Sequence, residues 1–419
     1  MDEVDEARRE QASASYRIAR NAASLLASNA AGEVLTSYSL VIAAVSLGPA
    51  GFGLLSEAQA FMEPFESLAG LGLGSVSLTL AARRGGCDGT LRGTVWGIRA
   101  LSGVLAAAIG IAAGFVLGRA HLWPLLITFA VGMLFTPITA ISNLPYQYNR
   151  TVHKRLIVPF LVSVVRLTAC YVALWTFNVP LGYQLAALCA TVAAAVLQRL
   201  WARRDYPEPL SFDHSLASEL LRLGWPAAVL ELVVSCYSRA SYFLLHHSGA
   251  EVQGAYAAAD RLTRPVLALA AALFLSSLPS LAQLAVQRDF VQLRAAYRRT
   301  LVRVVLGLTP ILTAAWFLAA WLLARFVPVY SGAIWPFRIL LVGTFFMFMN
   351  QLSSGFVMAL GKFRIIMTVA IINLGVYLAL APSFIAQYGA SGAALAVTTM
   401  EGVNTLMQLF AVYWLLRRD

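Results

Sequence analysis

The sequence predicts an all-α polytopic membrane protein with about twelve transmembrane helices. Of its 419 residues, 59% are hydrophobic and only 12% are charged, and the mean hydropathy is +0.72. A soluble domain carries about 25% charged residues, so this composition excludes an ordinary soluble protein. Apolar runs near 20 residues, the length that crosses the hydrocarbon core, recur along the whole chain.

Short polar or glycine-containing connections separate the apolar runs. The third and fourth runs are the least clearly divided, because only residues 118–122 lie between them. The first 19 residues lack the pattern of a cleavable signal peptide, so the first run is expected to remain as a span. The predicted spans are residues 20–46, 54–82, 91–118, 121–145, 155–177, 181–202, 217–247, 255–285, 299–326, 336–360, 363–385 and 389–416.

Basic residues mark one side of the predicted bundle. Arg83 and Arg84 follow the second span and Arg203 and Arg204 follow the sixth, whereas the connection 47–53 carries no charge. Lys and Arg concentrate on the cytoplasmic side of membrane proteins, so both termini are predicted to be cytoplasmic. The net charge of +11 is therefore interpreted as a topology signal and not as a sign of nucleic-acid binding.

The two halves of the chain resemble each other when one is shifted by 201 positions. Six spans per half keep the two repeats parallel and place a cleft between the bundles, which is the expected substrate site. The shift aligns Gly48 with Gly249, Gly53 with Gly254, and Pro64 with Pro265. The predicted segments are a cytoplasmic N-terminal segment (1–19), a first six-helix bundle (20–202), a cytoplasmic linker (203–216), a second six-helix bundle (217–416) and a cytoplasmic tail (417–419).

Arginines inside the apolar runs are the candidate substrate-binding residues. A charge at membrane depth costs about 2.5–3.5 kcal/mol on insertion scales, so each one needs a partner or a water-filled cavity. Arg166 lies near the centre of its span, about 16 Å along a helix at 1.5 Å per residue. The candidates are Arg99, Arg166, Arg239, Arg261 and Arg264.

Three of these arginines fall on one hairpin, residues 220–284. Arg261 and Arg264 are three residues apart and share a helix face, so they could meet Arg239 across the hairpin. Planar guanidinium groups suit a phosphate ligand. In the alternative interpretation, Asp260 and Glu231 neutralise these cations as buried structural pairs.

Acidic residues and prolines complete the candidate set. Burial could raise the pKa of a carboxyl enough for proton coupling, or a carboxylate could act as a counter-charge. Pro64 and Pro265 are candidate hinges, although each could equally be a static kink. No metal or other cofactor is expected, since the four cysteines are scattered and His246 and His247 are interpreted as interfacial. The acidic candidates are Glu33, Glu57, Glu63, Glu66, Glu231, Asp260 and Glu401.

Several motifs resemble those of one transporter family. They are LGPAGFG at 47–53, GAYAAADRL at 254–262, PSL at 279–281 and YGASGAALA at 388–396. In combination with the twelve-span plan, they resemble bacterial polysaccharide transporters, the O-antigen flippases of the multidrug/oligosaccharidyl-lipid/polysaccharide (MOP) exporter superfamily.

That resemblance implies a function and a location. The protein would move an undecaprenyl-pyrophosphate-linked oligosaccharide from the cytoplasmic to the outer leaflet of the bacterial plasma (inner) membrane. It would do so by alternating access, through a cation-lined cavity and without an enzymatic step. The implied partners are the lipid-linked oligosaccharide and membrane lipids, with a polysaccharide polymerase and glycosyltransferases as further candidates.

Three alternatives come from neighbouring classes. A multidrug exporter of the same superfamily would favour an acidic, aromatic cavity, and a lipid II flippase would have about two more spans. A membrane glycan-processing enzyme would show a soluble catalytic domain or a long outer loop. The sequence shows neither of these, nor any metal or nucleophile constellation.

Overall fold

The computed structural model describes residues 2–148, 157–264, 290–326, 328–360 and 362–418, with side-chain detail beginning at Leu35. Within these ranges the regular secondary structure consists of α-helices and short 3₁₀ helices, and no strand occurs, as the sequence predicts. The helices are α1 (Asp2–Gly70), α2 (Leu73–Arg84), α3 (Gly89–Val116), α4 (Trp123–Met133), α5 (Thr136–Tyr148), α6 (Ile157–Phe177), α7 (Pro180–Asp205), α8 (His214–Leu245), α9 (250–264), α10 (Phe290–Phe326), α11 (Ile334–Ala359) and α12 (Phe363–Arg418).

The protein is a multi-pass membrane protein. Eight helical segments of the described chain are long and apolar enough to cross a membrane. The chain turns at Gly48 within α1 and at Gly389 within α12, and both residues have positive φ. Each of these long helices is therefore two predicted spans joined by a tight turn. The predicted span 255–285 is described only as far as residue 264.

Two predicted spans are not continuous, which corrects the sequence-based boundaries. The second predicted span breaks at Leu71 and Gly72, which both have positive φ. A Cβ on Gly72 would lie 2.7 Å from the Cβ of Ala227, so close packing against α8 requires glycine there. The fourth breaks between α4 and α5, where Pro137 lacks the N–H that would bond to the carbonyl of Met133 in a continuous helix.

We call helices α1–α7 the first lobe and helices α8–α12 the second lobe, following the predicted division of the chain. In the first lobe α1 packs against α3 and α6, and α6 packs against α7. In the second lobe α12 packs against α11 and α8. Helix α1 also packs against α8, so α1 forms much of the boundary between the lobes. We call the end of the molecule that carries the turns at Gly48 and Gly249 the turn end.

The repeat-related glycines meet each other at the turn end. A Cβ on Gly53 would lie 2.3 Å from the carbonyl oxygen of Ala250, and a Cβ on Gly254 would lie 1.9 Å from that of Pro49. Because residues 49 and 53 correspond to 250 and 254 in the repeat, the contact is reciprocal. The hydroxyl of Tyr330 also donates to the carbonyl of Ala44 at 2.7 Å. The lobes are therefore packed directly together at this end.

The connection between the lobes, residues 206–213, lies at the opposite end, which we call the linker end. Arg92 of α3 donates to the carbonyl of Tyr206 at 3.2 Å and pairs with Glu208 at 3.2 Å. The side chain of Arg92 is almost fully buried by these contacts. The connection is thus docked on the first lobe and is not a loose tether.

Candidate functional site

A cavity of about 520 Å³ lies between the first lobe and α8. We call it the first-lobe cavity, because most of its lining comes from that lobe. Its lining follows α1 from Leu55 to Gly70, which corresponds to about 22 Å of helix. Helices α4, α6 and α7 supply the opposite walls. A buried space this long and polar suits an elongated ligand with ionised groups. Its polar lining includes Gln59, Glu63, Glu66, Arg166, Gln184, Glu231 and Arg239.

Arg239 links the two lobes. Its Nε and Nη2 atoms lie 2.5 and 2.8 Å from the two carboxylate oxygens of Glu63 on α1. Its Nη1 atom lies 3.5 Å from Oδ2 of Asp260 on α9. Arg239 is only 5% exposed, and this buried cation is therefore neutralised by one carboxylate from each lobe.

Asp260 is the centre of the predicted arginine cluster. Its Oδ2 atom accepts from Nη2 of Arg264 at 3.3 Å and from the hydroxyl of Tyr242 at 3.1 Å. Arg261 turns to the first lobe and donates to Oε1 of Gln59 at 2.6 Å. The structure brings Arg239, Arg261 and Arg264 together, but it also engages each of them with a protein partner.

Arg166 differs from that cluster. It projects from the middle of α6 and lines the first-lobe cavity. It makes no ion pair with any carboxylate of the described chain, and its side chain interacts with the thiol of Cys170. Tyr183 and Cys170 are its neighbours. Arg166 is therefore a cavity cation whose charge remains available to a ligand.

Arg99 lies beside the same cavity. Its Nη2 atom donates to the carbonyl of Gly70 at 3.4 Å, and the carboxylate of Glu231 is a nearby charge. Glu66 lines the cavity one turn from Glu63 and forms no ion pair among the described residues. The cavity lining thus carries three carboxylates and two guanidinium groups. The implied cation-lined cavity is wrong in that respect, because the lining is mixed in charge.

The second lobe holds a cavity of about 490 Å³ with different chemistry. Its only described ionisable carboxylate is Glu401, whose Oε2 accepts from the amides of Asn350 at 2.5 Å and Asn404 at 3.2 Å. Four amide side chains on its wall are each at least nine-tenths buried and have a carbonyl oxygen without a hydrogen-bond partner in the described part of the chain. They are Asn350, Asn373, Asn404 and Gln408.

A smaller space of about 140 Å³ lies next to this cavity. Arg264 and Asp260 border it, and Glu401 and Tyr237 line both spaces. Glu63 lines the first-lobe cavity and not this one. The repeat-related positions Glu63 and Arg264 therefore face different spaces.

The remaining predicted residues lie elsewhere. Glu57 is buried near the turn end and is ion-paired with Arg119. Helix α1 continues through Pro64 without a break. The side chain of Glu33 and the whole of Pro265 lie outside the described residues.

Sequence reasoning missed the amide residues of the second lobe. Glu401, Asn404 and Gln408 are spaced three and four residues apart, so they share one face of α12. That spacing of polar residues within an apolar span was the available signal. Gln59 was also missed, because a single uncharged amide does not stand out in an apolar helix.

Comparison with known families decides the classification. The family model described as "Polysaccharide biosynthesis protein" matches residues 18–285, more than half of the chain. This chain belongs to that family. The MatE family model also matches, over residues 226–383. A member of this family is a transporter of the MOP superfamily and not an enzyme, as the sequence predicts.

Solved structures show that this family member shares the fold of MOP transporters. An inward-facing multidrug resistance MATE family transporter is 16% identical, with a TM-score of 0.74, over 92% of this chain and 95% of that chain. The same kind of transporter in an outward-facing conformation is 17% identical, with a TM-score of 0.69, over 96% of each chain.

A third similar structure is a MOP superfamily transporter from Pyrococcus furiosus Vc1, for which a binding pocket of reverse polarity suggests a different function. It is 14% identical, with a TM-score of 0.66, over 95% of this chain and 96% of that chain. At these identities the likeness shows the fold alone. No curated protein matches the chain.

Proposed function

We propose that this transporter is a flippase for an undecaprenyl-pyrophosphate-linked oligosaccharide. It would carry the head group from the cytoplasmic to the outer leaflet of the bacterial inner membrane, for surface polysaccharide biosynthesis. Membership of the polysaccharide biosynthesis protein family supports this substrate class. The two termini and the linker end would be cytoplasmic, because Arg83, Arg203 and Arg204 lie at the ends of α2 and α7 there.

One observation carries the proposal: Arg166 lies on the wall of a large cavity and has no ion-pair partner among the residues that the structure describes. A half-buried charge of this kind is costly at membrane depth unless water or a ligand compensates for it. A pyrophosphate offers two charges and many acceptor oxygens, and a guanidinium can bind them in a bidentate manner. The lipid tail would remain in the bilayer while the head group occupies the cavity.

The predicted cluster takes a different role in this account. Arg239 with Glu63, and Arg261 with Gln59, tie the second lobe to α1. We assign to these contacts the function of holding the lobes together at mid-membrane. Direct binding of pyrophosphate by Arg239, Arg261 and Arg264 would first require these pairs to break.

The second-lobe cavity is the proposed place for the sugars. Sugar hydroxyl groups donate hydrogen bonds, and the amide oxygens of Asn350, Asn373, Asn404 and Gln408 are acceptors that no described residue of the protein engages. Apolar side chains such as Val234 and Ile366 line the same wall and suit the C–H faces of a sugar ring. Charge would thus be bound in the first lobe and hydroxyl groups in the second.

Alternating access would separate the lobes at the turn end. The reciprocal contacts of Gly53 and Gly254 would open, and so would the bond from Tyr330 to Ala44. Outward movement of an anion is favoured by an inside-negative potential, by about 2.3 kcal/mol per charge per 100 mV.

Glu66 is the foremost candidate for proton coupling, because it faces the cavity without an ion pair in the described chain. Indifference of transport to a pH gradient would exclude that coupling.

The test is export of surface polysaccharide in a strain that lacks its own flippase. We expect Arg166→Gln to abolish export at normal protein abundance. Arg166→Lys should retain part of it, because an ammonium keeps the charge but not the bidentate geometry. Arg338→Gln is the matched control, since Arg338 stacks on Trp316 and Trp335 away from the cavities.

Normal export by Arg166→Gln would contradict the assigned role of Arg166. If the unmutated protein also fails to restore export, the next measurement is efflux of organic cations, for which the carboxylates Glu63, Glu66 and Glu231 would be the expected ligands.

A further inference from the structure

Two histidines and a carboxylate converge at the turn end, outside both cavities. Nδ1 of His246 lies 2.8 Å from Oε1 of Glu57, and Nε2 of His121 lies 4.0 Å from its Oε2. The three candidate ligand atoms all lie within 4.8 Å of one another. The two imidazole rings are stacked, with centroids 5.4 Å apart and planes 19° apart.

From this geometry we propose that Glu57, His121 and His246 form a binding site for a divalent transition metal of the zinc class. Two imidazole nitrogens and a carboxylate oxygen are a ligand set that Zn²⁺ accepts, with a fourth position left for water. Two ligands about 2.1 Å from a tetrahedral ion lie roughly 3.4 Å apart. The distance from Nδ1 of His246 to Oε1 of Glu57 is 2.8 Å, and that from Nε2 of His121 to Oε2 of Glu57 is 4.0 Å. These distances to the two carboxylate oxygens fall on either side of that value.

Because the three ligands come from both lobes, a bound metal would affect how the lobes are held together. Glu57 belongs to α1 and His121 to the turn before α4, both in the first lobe. His246 lies in the turn after α8, in the second lobe. A bound ion would therefore bridge the lobes at the end where the repeat glycines pack. It would stabilise the conformation in which the turn end is closed.

The charges around the site set its affinity. Arg119 pairs with Oε1 of Glu57, and His247 lies beside His246 with ring centroids 5.2 Å apart. Arg119 therefore opposes the approach of a cation. Removal of its charge should tighten metal binding, whereas a site for an anion would respond in the opposite direction. The burial of Glu57 and the partial exposure of both histidines leave a path from solvent to the carboxylate.

The site is tested by Zn²⁺ titration of the purified, metal-stripped full-length protein in calorimetry, with Co²⁺ absorption as a second probe. We expect one equivalent to bind. Loss of a ligand in His121→Ala or His246→Ala should weaken binding at least as much as loss of a supporting partner does, about 10–100-fold. His247→Ala should bind as the unmutated protein does, and Arg119→Gln should bind more tightly.

Thermal unfolding of each variant without metal establishes that it is folded, and Zn²⁺ should raise the unfolding temperature only where His121 and His246 are both present. Equal binding by all three histidine variants would overturn the proposal, because the metal would then lie elsewhere. Absence of a bound equivalent in the unmutated protein would also overturn it. Neither result depends on whether the protein moves a lipid-linked glycan.

Discussion

The first-lobe cavity of about 520 Å³ and the second-lobe cavity of about 490 Å³ are alike in size and unlike in chemistry. The first is lined by Glu63, Glu66, Glu231, Arg166 and Arg239, whereas the second has Glu401 as its carboxylate and is otherwise lined by amides and apolar groups. The sequence repeat therefore does not extend to the side chains that line the two cavities. A ligand with one charged part and one neutral, hydroxyl-rich part fits such a pair of cavities.

Loss of the Glu63–Arg239 ion pair between the lobes should lower the stability of the protein more than any other change considered below. Among the residues that the structure describes, Glu63→Gln leaves the buried guanidinium of Arg239 with Asp260 as its one charged partner. Breaking a buried pair fully costs about 3–5 kcal/mol. We expect about 2–3 kcal/mol here, since Asp260 remains, and thermal or denaturant unfolding in detergent would measure the change.

Glu66→Gln is the matched control for that experiment. Glu66 lies one helical turn away on the same cavity wall and has no ion pair in the described chain, so its loss should change stability by less than about 0.5 kcal/mol. Similar losses of stability in the two variants would contradict the distinction between paired and unpaired carboxylates.

The glycine contacts at the turn end give the next largest effect. A methyl group at Gly254 would lie 1.9 Å from the carbonyl oxygen of Pro49, and one at Gly53 would lie 2.3 Å from that of Ala250. We expect Gly254→Ala and Gly53→Ala each to lower the free energy of unfolding by about 1–2 kcal/mol through overpacking. Circular dichroism during thermal unfolding would follow both variants.

Gly307→Ala is the control, because nothing lies within 4 Å of a Cβ there and the residue is inside helix α10. That variant should gain about 0.5–1 kcal/mol of helix stability. If only one of the two turn-end variants is destabilised, the interface is not the symmetric product of the repeat.

A variant of the second lobe should separate stability from function. Asn373 is 1% exposed and its carbonyl oxygen has no partner among the described residues, so Asn373→Leu removes a buried acceptor that they leave unsatisfied. Stability should be unchanged or higher by up to about 1 kcal/mol. Export should nevertheless fall by about three- to tenfold if that oxygen accepts from a sugar hydroxyl.

Asn350→Leu provides the comparison, because Asn350 donates to Glu401 and its loss should lower stability as well. Full export by a stable Asn373→Leu protein would contradict the proposal that the glycan binds in this cavity.

The smallest effect concerns the docked connection between the lobes. Burial raises the pKa of the Cys87 thiol to about 11, so at pH 8 its thiolate is about 100-fold scarcer than that of an ordinary thiol. Alkylation of Cys87 should therefore be slow, with a Cys87→Ser protein as the background. In Arg92→Gln the bonds to Tyr206 and Glu208 are lost, and labelling should accelerate as the connection undocks.

The opposite result is equally informative. Arg92 lowers the pKa of Cys87 by its charge, so its removal from a connection that stays docked would raise that pKa and slow labelling further. Slower labelling would therefore show that Arg92 does not hold the connection in place.

Hydropathy and spacing were sufficient to predict the helical class and the connections around Gly48 and Gly249. These features depend on local composition, which a single sequence displays directly. The break at Leu71–Gly72 could not be predicted, because it arises where the chain packs closely against α8, far away in the sequence. The break before Thr136 was missed although Pro137, which disrupts the helix there, is visible in the sequence. The domain boundaries remain predictions.

The candidate site shows the same limit. The arginines were identified because a charge in an apolar span is conspicuous. Their partners were not, since Glu63 and Arg239 are separated by 176 positions and Gln59 and Arg261 by 202. Whether a buried arginine is free or paired depends on tertiary packing. For that reason the sequence favoured Arg239, Arg261 and Arg264, and the structure favours Arg166.

The most direct test is translocation of a pyrophosphate-linked lipid oligosaccharide in proteoliposomes, measured for the unmutated protein, Arg166→Gln and Arg338→Gln. The account predicts that the unmutated protein and Arg338→Gln move the lipid, and that Arg166→Gln reconstitutes normally but does not. Translocation by Arg166→Gln at the unmutated rate would contradict the central claim that the unpaired cavity arginine binds the pyrophosphate.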